Sequence, residues 1–298
     1  MLTFLSRRER FTIVGSTNDV VRAWLDSGTP EVCLAVADEQ SAGRGRAGRS
    51  WYAPRGGGLL LSLGFRPIWL SPGHAWRLAA LTSLAMAGAG EEVAGLRPRA
   101  ISLKWPNDLF GAGRTGPAKL AGVLGETDGL GTDDPRAIIG IGVNGDWREA
   151  DFPNLLTADM TSLREAGGGH PLDHGALLEA FIERLEVAVN ALRAGRFDSA
   201  DWIARQLTTG RLCTLEFPDS SRETVMATGV DADSGALLVE SPDDPGERRA
   251  ILSGEVRHVR VAGQPRMPDG QPGIAGEQDL RSPAAAVSAH RGRTGGEV

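Results

Sequence analysis

The segment Gln40-Ser41-Ala42-Gly43-Arg44-Gly45-Arg46-Ala47-Gly48-Arg49-Ser50-Trp51 sets three glycines and three arginines in alternation ahead of a tryptophan. Glycine lets the backbone approach a ligand closely and take positive φ. Each guanidinium can grip a phosphate or carboxylate through two parallel hydrogen bonds. A loop of this content can fold over an anionic nucleotide and shut out water. Two other chemistries use similar letters. Gly43, Gly45 and Gly48 satisfy G-x-G-x-x-G, but the dinucleotide fingerprint needs a helix directly after the glycines and an acid about twenty residues on. Here Trp51 to Gly58 is turn-rich, and no acid lies near Ile68. Arg-Gly segments that bind single-stranded nucleic acid sit in basic surroundings, whereas this one is single, in a chain of net charge −6.

Four further constellations could carry chemistry. In Lys104-Trp105-Pro106-Asn107-Asp108, the lysine supplies a point charge for a phosphate, and Asp108 can hold Mg²⁺ or orient an amine. The same letters also suit an ordinary strand–turn–strand corner. In Lys119-Leu120-Ala121-Gly122-Val123-Leu124-Gly125-Glu126, a lysine stands at the mouth of an apolar strand. It can hold its ammonium over a developing anion in a dry site, or simply reach out to water. Gly140-Ile141-Gly142-Val143-Asn144-Gly145 leaves space beside a strand, and Asn144 offers a donor and an acceptor to a nucleotide. Ser16-Thr17-Asn18 lies where a strand gives way to a helix. Its hydroxyls and amide can read a small polar head group, or cap the helix.

Taken in this order along one chain, these segments resemble the biotin protein ligase family, closely over residues 11–147 and in general layout beyond. The resemblance implies that Ser16, Thr17, Asn18 and Gln40 contact the ureido head of biotin. It puts Gly43, Arg44, Gly45 and Arg46 in a loop that closes over biotin and its adenylate, Trp51 in the pocket wall, and Lys119 beside the biotin carboxylate and the α-phosphate. Arg44, Arg46, Arg49, Lys104, Asn107 and Asn144 would serve the nucleotide. Asp108 would hold Mg²⁺ and join Lys119 and Arg46 in catalysis. The implied reaction consumes ATP with Mg²⁺, passes through biotinyl-5′-AMP, and modifies a lysine of a biotin carboxyl carrier protein or of that domain in a biotin-dependent carboxylase. Three features depart from the family pattern: Leu60 where an aromatic residue is common, Gly145 where an apolar one is usual, and a lengthened loop before Lys119. The alternatives are a lipoate–protein ligase, which the Gly/Arg loop disfavours, and a biotin-binding module without catalysis. Retention of Lys104, Lys119, Arg44 and Arg46 disfavours the second.

These residues need a frame. The chain has 298 residues, 41% hydrophobic and 23% charged, which suits about two globular domains. Strands are predicted over residues 11–14, 32–37, 59–65, 101–103, 109–110, 120–126 and 137–143, with a flexible loop over 111–117. Residues 59–65 read as buried on both faces. Helices are predicted over 17–25, capped by Ser16 or Thr17, over 74–90 behind Ser71-Pro72, over 175–192 with one apolar face, and over 197–207. The fold class is α+β: a mixed β-sheet flanked by helices over residues 1–207, which the resemblance makes a biotin/lipoate ligase catalytic domain. Five short strands over 212–217, 224–230, 236–240, 250–252 and 256–261 suggest a small SH3-like β-barrel at 210–262. Residues 263–298 read as a disordered tail.

The composition also excludes. A sequence pI near 5.5 argues against nonspecific nucleic-acid binding. Only about ten residues precede the first expected strand, too few for a helix-turn-helix domain, so the expected form is the enzyme alone. Cys33 and Cys213 make neither a disulfide framework nor a zinc pattern. Arg7, Arg8, Glu9 and Arg10 interrupt the N-terminus, leaving no signal-peptide core. The apolar stretch at 78–90 is too short to span a bilayer. A cytoplasmic monomer or homodimer is expected.

Overall fold

The computed structural model describes residues 4–152, 159–244, 246–253 and 258–261. The first sheet is built from β1 (Arg7–Phe11), β2 (Cys33–Ala37), β3 (Gly58–Phe65), β4 (Ser102–Lys104), β5 (Asp108–Gly113), β6 (Gly116–Asp128) and β7 (Arg136–Asn144). Its order is β1-β2-β3-β7-β6-β5-β4. The β1–β2 pair is parallel and every other pair antiparallel.

Alternation along the strands decides which face does what. On β2, Leu34 and Val36 join the main core with α2 (Trp76–Val93) and α4 (His174–Arg193), while Cys33 and Ala35 pack with Val21, Trp24 and Leu25 of α1 (Thr17–Asp26). On β3, Leu59, Leu61, Leu63 and Phe65 fill the main core. The α1 face of the same sheet carries glycines in register: Gly140 between Ser62 and Leu124, and Gly142 beside Gly122 with Leu60 on its other side. That row of missing side chains leaves room for a ligand.

Several elements differ from the sequence expectation. The first strand is Arg7–Phe11 rather than 11–14, and past it Val14 makes only an isolated bridge to Gln40. Its residues are mostly charged because it is an edge, with Arg8 paired to Glu179 and Arg10 to Asp38. Residues 111–117 are not a flexible loop. β5 and β6 pair through Ala112↔Pro117 and Gly113↔Gly116, so Arg114-Thr115 is a two-residue hairpin turn. Ser71-Pro72 opens a single 3₁₀ turn, Pro72–His74, ahead of α2. The last helix contracts to α5 (Ser199–Ala204), and the chain then runs along β4, where the Leu207 N–H donates to the Leu103 carbonyl at 2.7 Å. There Arg205 is buried against Glu91 at 2.6 Å. A short α3 (Leu163–Ala166) follows β7, capped by the Ser162 hydroxyl, which accepts from the Glu165 N–H.

The second sheet contains β8 (Arg211–Glu216), β9 (Arg222–Val230), β10 (Leu237–Glu240), β11 (Arg248–Ile251) and β12 (His258–Val261). Its order is β11-β10-β9-β8-β12, antiparallel throughout. Among the described residues β11 and β12 do not pair with each other, so the sheet is open. It docks on the first domain through the turn before β10: the indole N–H of Trp105 donates to the Gly235 carbonyl at 2.9 Å, and that of Trp76 to the Asp233 carbonyl at 3.1 Å. The expected tail, 263–298, lies outside the described residues.

Candidate active site

A cleft of about 110 Å³ opens on the α1 face over the row of small residues. Ser16, Thr17, Asn18, Gln40, Arg44, Gly45, Arg46, Arg49, Trp51, Lys104, Asn107, Asp108 and Lys119 all line it. Segments spread over a hundred residues therefore converge because β3, β6 and β7 are neighbours and the loop 41–51 crosses their α1 face.

One end is a buried polar network. Ser16 occupies the N-cap of α1, but neither its hydroxyl nor that of Thr17 caps the helix; the expected side-chain cap is absent. The Thr17 hydroxyl is committed elsewhere. Gln40 Oε1 accepts from the Thr17 N–H at 2.7 Å, and Thr17 Oγ1 lies 2.7 Å from Ser62 Oγ. Ser62 Oγ donates to Asn18 Oδ1 at 2.5 Å, and Asn18 Nδ2 donates to Glu126 Oε2 at 3.0 Å. Gly140 makes this possible, since a Cβ there would come within 2.2 Å of Asn18 Oδ1.

The other end is cationic. Lys119 Nζ pairs with Asp108 Oδ1 at 2.8 Å and sits over the Trp51 ring at 5.5 Å. Lys104 is only 6% exposed. Burial pushes its ammonium down to about 8, with Lys119 adding repulsion and Asp108 opposing the shift. Asn107 donates its amide to the Val123 carbonyl at 2.7 Å, which fixes the corner that presents Asp108.

The Gly/Arg loop folds on itself and contains one 3₁₀ turn, Arg46–Gly48, rather than a helix. The Trp51 N–H donates to the Gly43 carbonyl at 2.9 Å, and the Gly45 N–H to the Arg49 carbonyl at 2.7 Å. A Cβ on Gly43 would meet the Trp51 carbonyl at 2.3 Å, so only glycine permits this crossing. Arg44 forms a two-pronged pair with Asp19 at 2.7 and 2.8 Å. That pair holds the Asp19 carboxyl below its usual range. Arg46 donates to the Ser253 carbonyl beyond β11, and its burial lowers its basicity. Trp51 lies flat against β7, where a Cβ on Gly142 would be 2.4 Å from its ring, and its buried Nε1 has no protein partner.

Two expected residues lie elsewhere. Gly43 shapes the loop without lining the cleft. Asn144 is fully buried beside it, and its amide donates to the Thr161 carbonyl at 3.0 Å. The departures from the family pattern also have places. Leu60 packs with Ala53, Trp147 and Phe152. Gly145 leaves room for His174, whose Nε2 would be 2.3 Å from a Cβ at that position. Sequence reasoning missed Asp19, Ser62 and Glu126. Strand register, which puts Ser62 beside Gly140 and Glu126 beside Ile138, brings two of them to the site, and the first turn of α1 brings Asp19 to Arg44.

A mixed sheet carrying a polar-ended cleft crossed by a Gly/Arg loop defines a biotin/lipoate ligase-type domain, and the model of the biotin/lipoate A/B protein ligase family matches residues 11–144. The chain is 32% identical over 250 residues to the biotin–[acetyl-CoA-carboxylase] ligase of Mycobacterium tuberculosis, covering 83% of this chain and 86% of that protein. It is 35% identical over 173 residues to the bifunctional ligase/repressor BirA of Bacillus subtilis, but that match spans 57% of this chain and only 50% of the relative. Among solved structures, the biotin protein ligase of Aquifex aeolicus in complex with biotin and ATP superposes with a TM-score of 0.69 at 25% identity, covering 86% of this chain and 99% of that one. The chain belongs to the biotin protein ligase family.

Proposed function

We propose that this chain activates biotin with ATP and attaches it to a lysine of a biotin carboxyl carrier protein, releasing AMP. One observation carries the reading: a single cleft joins a buried hydroxyl–amide network fit for a ureido group to a cluster of cations fit for an anhydride phosphate. The lysine-bearing partner is the carrier protein or the equivalent domain of a biotin-dependent carboxylase. Residues 1–207 form the catalytic domain and 210–262 a small SH3-like module. The buried free thiols Cys33 and Cys213 suit a reducing cytoplasm.

In the first step an oxygen of the biotin carboxylate attacks the α-phosphorus, the bond to the β-phosphate bridging oxygen breaks, and pyrophosphate leaves. Lys119 and Arg46 neutralise the charge that builds on the α-phosphate. Lys104 and Arg49 hold the outgoing phosphates. Among the described residues no group of three or more His, Cys, Asp or Glu could hold a metal ion. One carboxylate, Asp108, fits Mg²⁺ that arrives on the nucleotide, since that ion takes one or two protein carboxylates and substrate phosphates. When bound it would screen the triphosphate against the incoming carboxylate. In the second step the carrier amine attacks the acyl carbon, the acyl–phosphate bond breaks, and AMP leaves. Free lysine has a pKa of about 10.4, so a proton must be taken up, and Asp108 lies at the cleft to accept it. The loop arginines keep the adenylate from escaping meanwhile. The test is ATP–pyrophosphate exchange with biotin or lipoate, followed by the mass of a carrier domain. Exchange dependent on biotin and a carrier gain of one biotinyl group are expected. Equal exchange with lipoate overturns the assignment.

A further inference from the structure

We propose that Glu126, which need not touch the ligand, sets the direction of the hydrogen bonds that read the biotin head group and so acts as a specificity-determining positioning residue. This rests on the biotin-ligase reading above.

The number of protons available fixes the direction of each bond. A carboxylate only accepts, so the Asn18 amide must turn its Nδ2 toward Glu126, at 3.0 Å. That leaves Asn18 Oδ1, an acceptor, facing Ser62 Oγ at 2.5 Å. Ser62 has one hydroxyl proton, and it goes to Asn18. Toward Thr17, 2.7 Å away, Ser62 is then an acceptor. Thr17 also has one proton and two acceptors in reach, Ser62 Oγ at 2.7 Å and Gln40 Oε1 at 3.0 Å. Two oxygens 2.7 Å apart need a proton between them, and Ser62 has given its only one to Asn18. The Thr17 proton therefore goes to Ser62, and Thr17 Oγ1 is left with lone pairs in the cleft it lines. Asn18, Thr17 and Ser62 are all buried, so water cannot reset the order. The relay demands an N–H on the ligand opposite Thr17. A ureido ring offers two such groups, one on each side of its carbonyl; a dithiolane ring offers none.

Two arginines make the setting firm. Arg22 donates to the same Glu126 oxygen at 3.0 Å, and Arg44 of the loop lies 3.6 Å from the other. Arg22 and Asn18 share one Glu126 oxygen. Glutamine at 126 can keep a carbonyl on both and turn its NH₂ to the side of Arg44, so it preserves the order. Alanine at 126 removes the acceptor, frees the Asn18 amide to flip, and releases the order of every bond behind it.

The experiment measures Kd by calorimetry, without ATP, for biotin and for its two cyclic-carbamate isosteres, each with one ring N–H replaced by oxygen. A buried site built to receive an N–H rejects an analogue that lacks it, and the unsubstituted protein should disfavour one isostere by roughly a hundredfold or more. Glu126→Ala should cut that ratio by at least tenfold, while Glu126→Gln, whose carbonyl can still accept from Asn18, should keep most of it; the KM for ATP should change little in either. Equal weakening of biotin and isosteres in Glu126→Ala would reduce Glu126 to a support for the fold and overturn the proposal. So would an unchanged ratio in Glu126→Ala, or an unsubstituted protein that binds biotin without discriminating. Failure of the unsubstituted protein to bind biotin at all would instead overturn the functional reading, and the proposal with it.

Discussion

Lys119 and Lys104 lie in one cleft but in different states, and each leads to its own test. Lys119 is paired with Asp108 and part-exposed, open to an anion that enters the cleft. Lys119→Ala should lower adenylate formation by ~10²–10³, the usual cost of losing one preorganised electrostatic partner. Single-turnover formation of biotinyl-AMP checks this, with the far-ultraviolet spectrum showing the fold retained. Lys104 is held against its preference, pushed down to about 8 by burial. Between that value and its ordinary 10.5 the unfolded chain binds the extra proton, so this group makes stability rise with pH across that window. Below pH 8 the charged, buried Lys104 costs on the order of 3 kcal/mol. Lys104→Met should therefore melt higher at pH 7 and show a smaller gain near pH 10, while binding ATP less well. Melting curves at both pH values, with ATP titrations, decide it. These two lysines were legible in the sequence because their neighbours form a motif. Glu126 and Ser62 were not, because their roles come from strands whose register brings distant residues together.

At the scale of elements, the α1 face of β7 shows what glycines at alternate positions do. Gly140 makes room for Asn18 and Gly142 for Trp51. Gly142→Ala would put a methyl within 2.4 Å of the Trp51 ring. The loop must move, and biotin affinity should fall by tenfold or more with the sheet intact; calorimetry beside a melting curve tests it. The Gly/Arg loop itself should resist trypsin at Arg44, Arg46 and Arg49 far better with biotin and ATP than without, since the ligand offers partners that offset the entropy of fixing glycines. Ligand-independent protection would remove it as a gate. Arg46→Gly should still form biotinyl-AMP, because Lys119 remains, but should release it to label bystander lysines, seen by mass spectrometry of an added protein. The space beside β7 was readable from Gly140-Ile141-Gly142 alone. β1 was misplaced because an edge strand of charged residues has no apolar alternation to detect. The 111–117 hairpin was hidden because its glycines look the same in a tight turn and in a loose one.

For the whole molecule, the two sheets are held by a narrow seam. Trp76, Trp105, His74 and Arg77 all meet the turn Asp231–Gly235. Gly235 has φ of 72°, and a Cβ there would sit 2.5 Å from the Trp76 ring. Gly235→Val breaks both conditions and should cost about 1–3 kcal/mol, with calorimetric scans showing a lower or split transition. The cleft is shared across this seam, since Val259 of β12 contributes to its lining. That part of the architecture was invisible in sequence. Short strands announced a second module, but nothing in their pattern said which surface of the first domain they would cover.

The contact between Arg46 and residue 253 is lopsided in a way that bears on mutational drift. Arg46 needs its own guanidinium to reach across, whereas Ser253 takes part only through its backbone carbonyl. Every amino acid carries that carbonyl. Changes at 253 that keep the backbone path should pass unnoticed, and Ser253→Ala should behave as the parent. Any change at 46 to a residue without a long side-chain donor removes the contact outright. The heritable burden of this one bond therefore rests on a single codon, and neutral variation should gather at one end of it and be purged at the other.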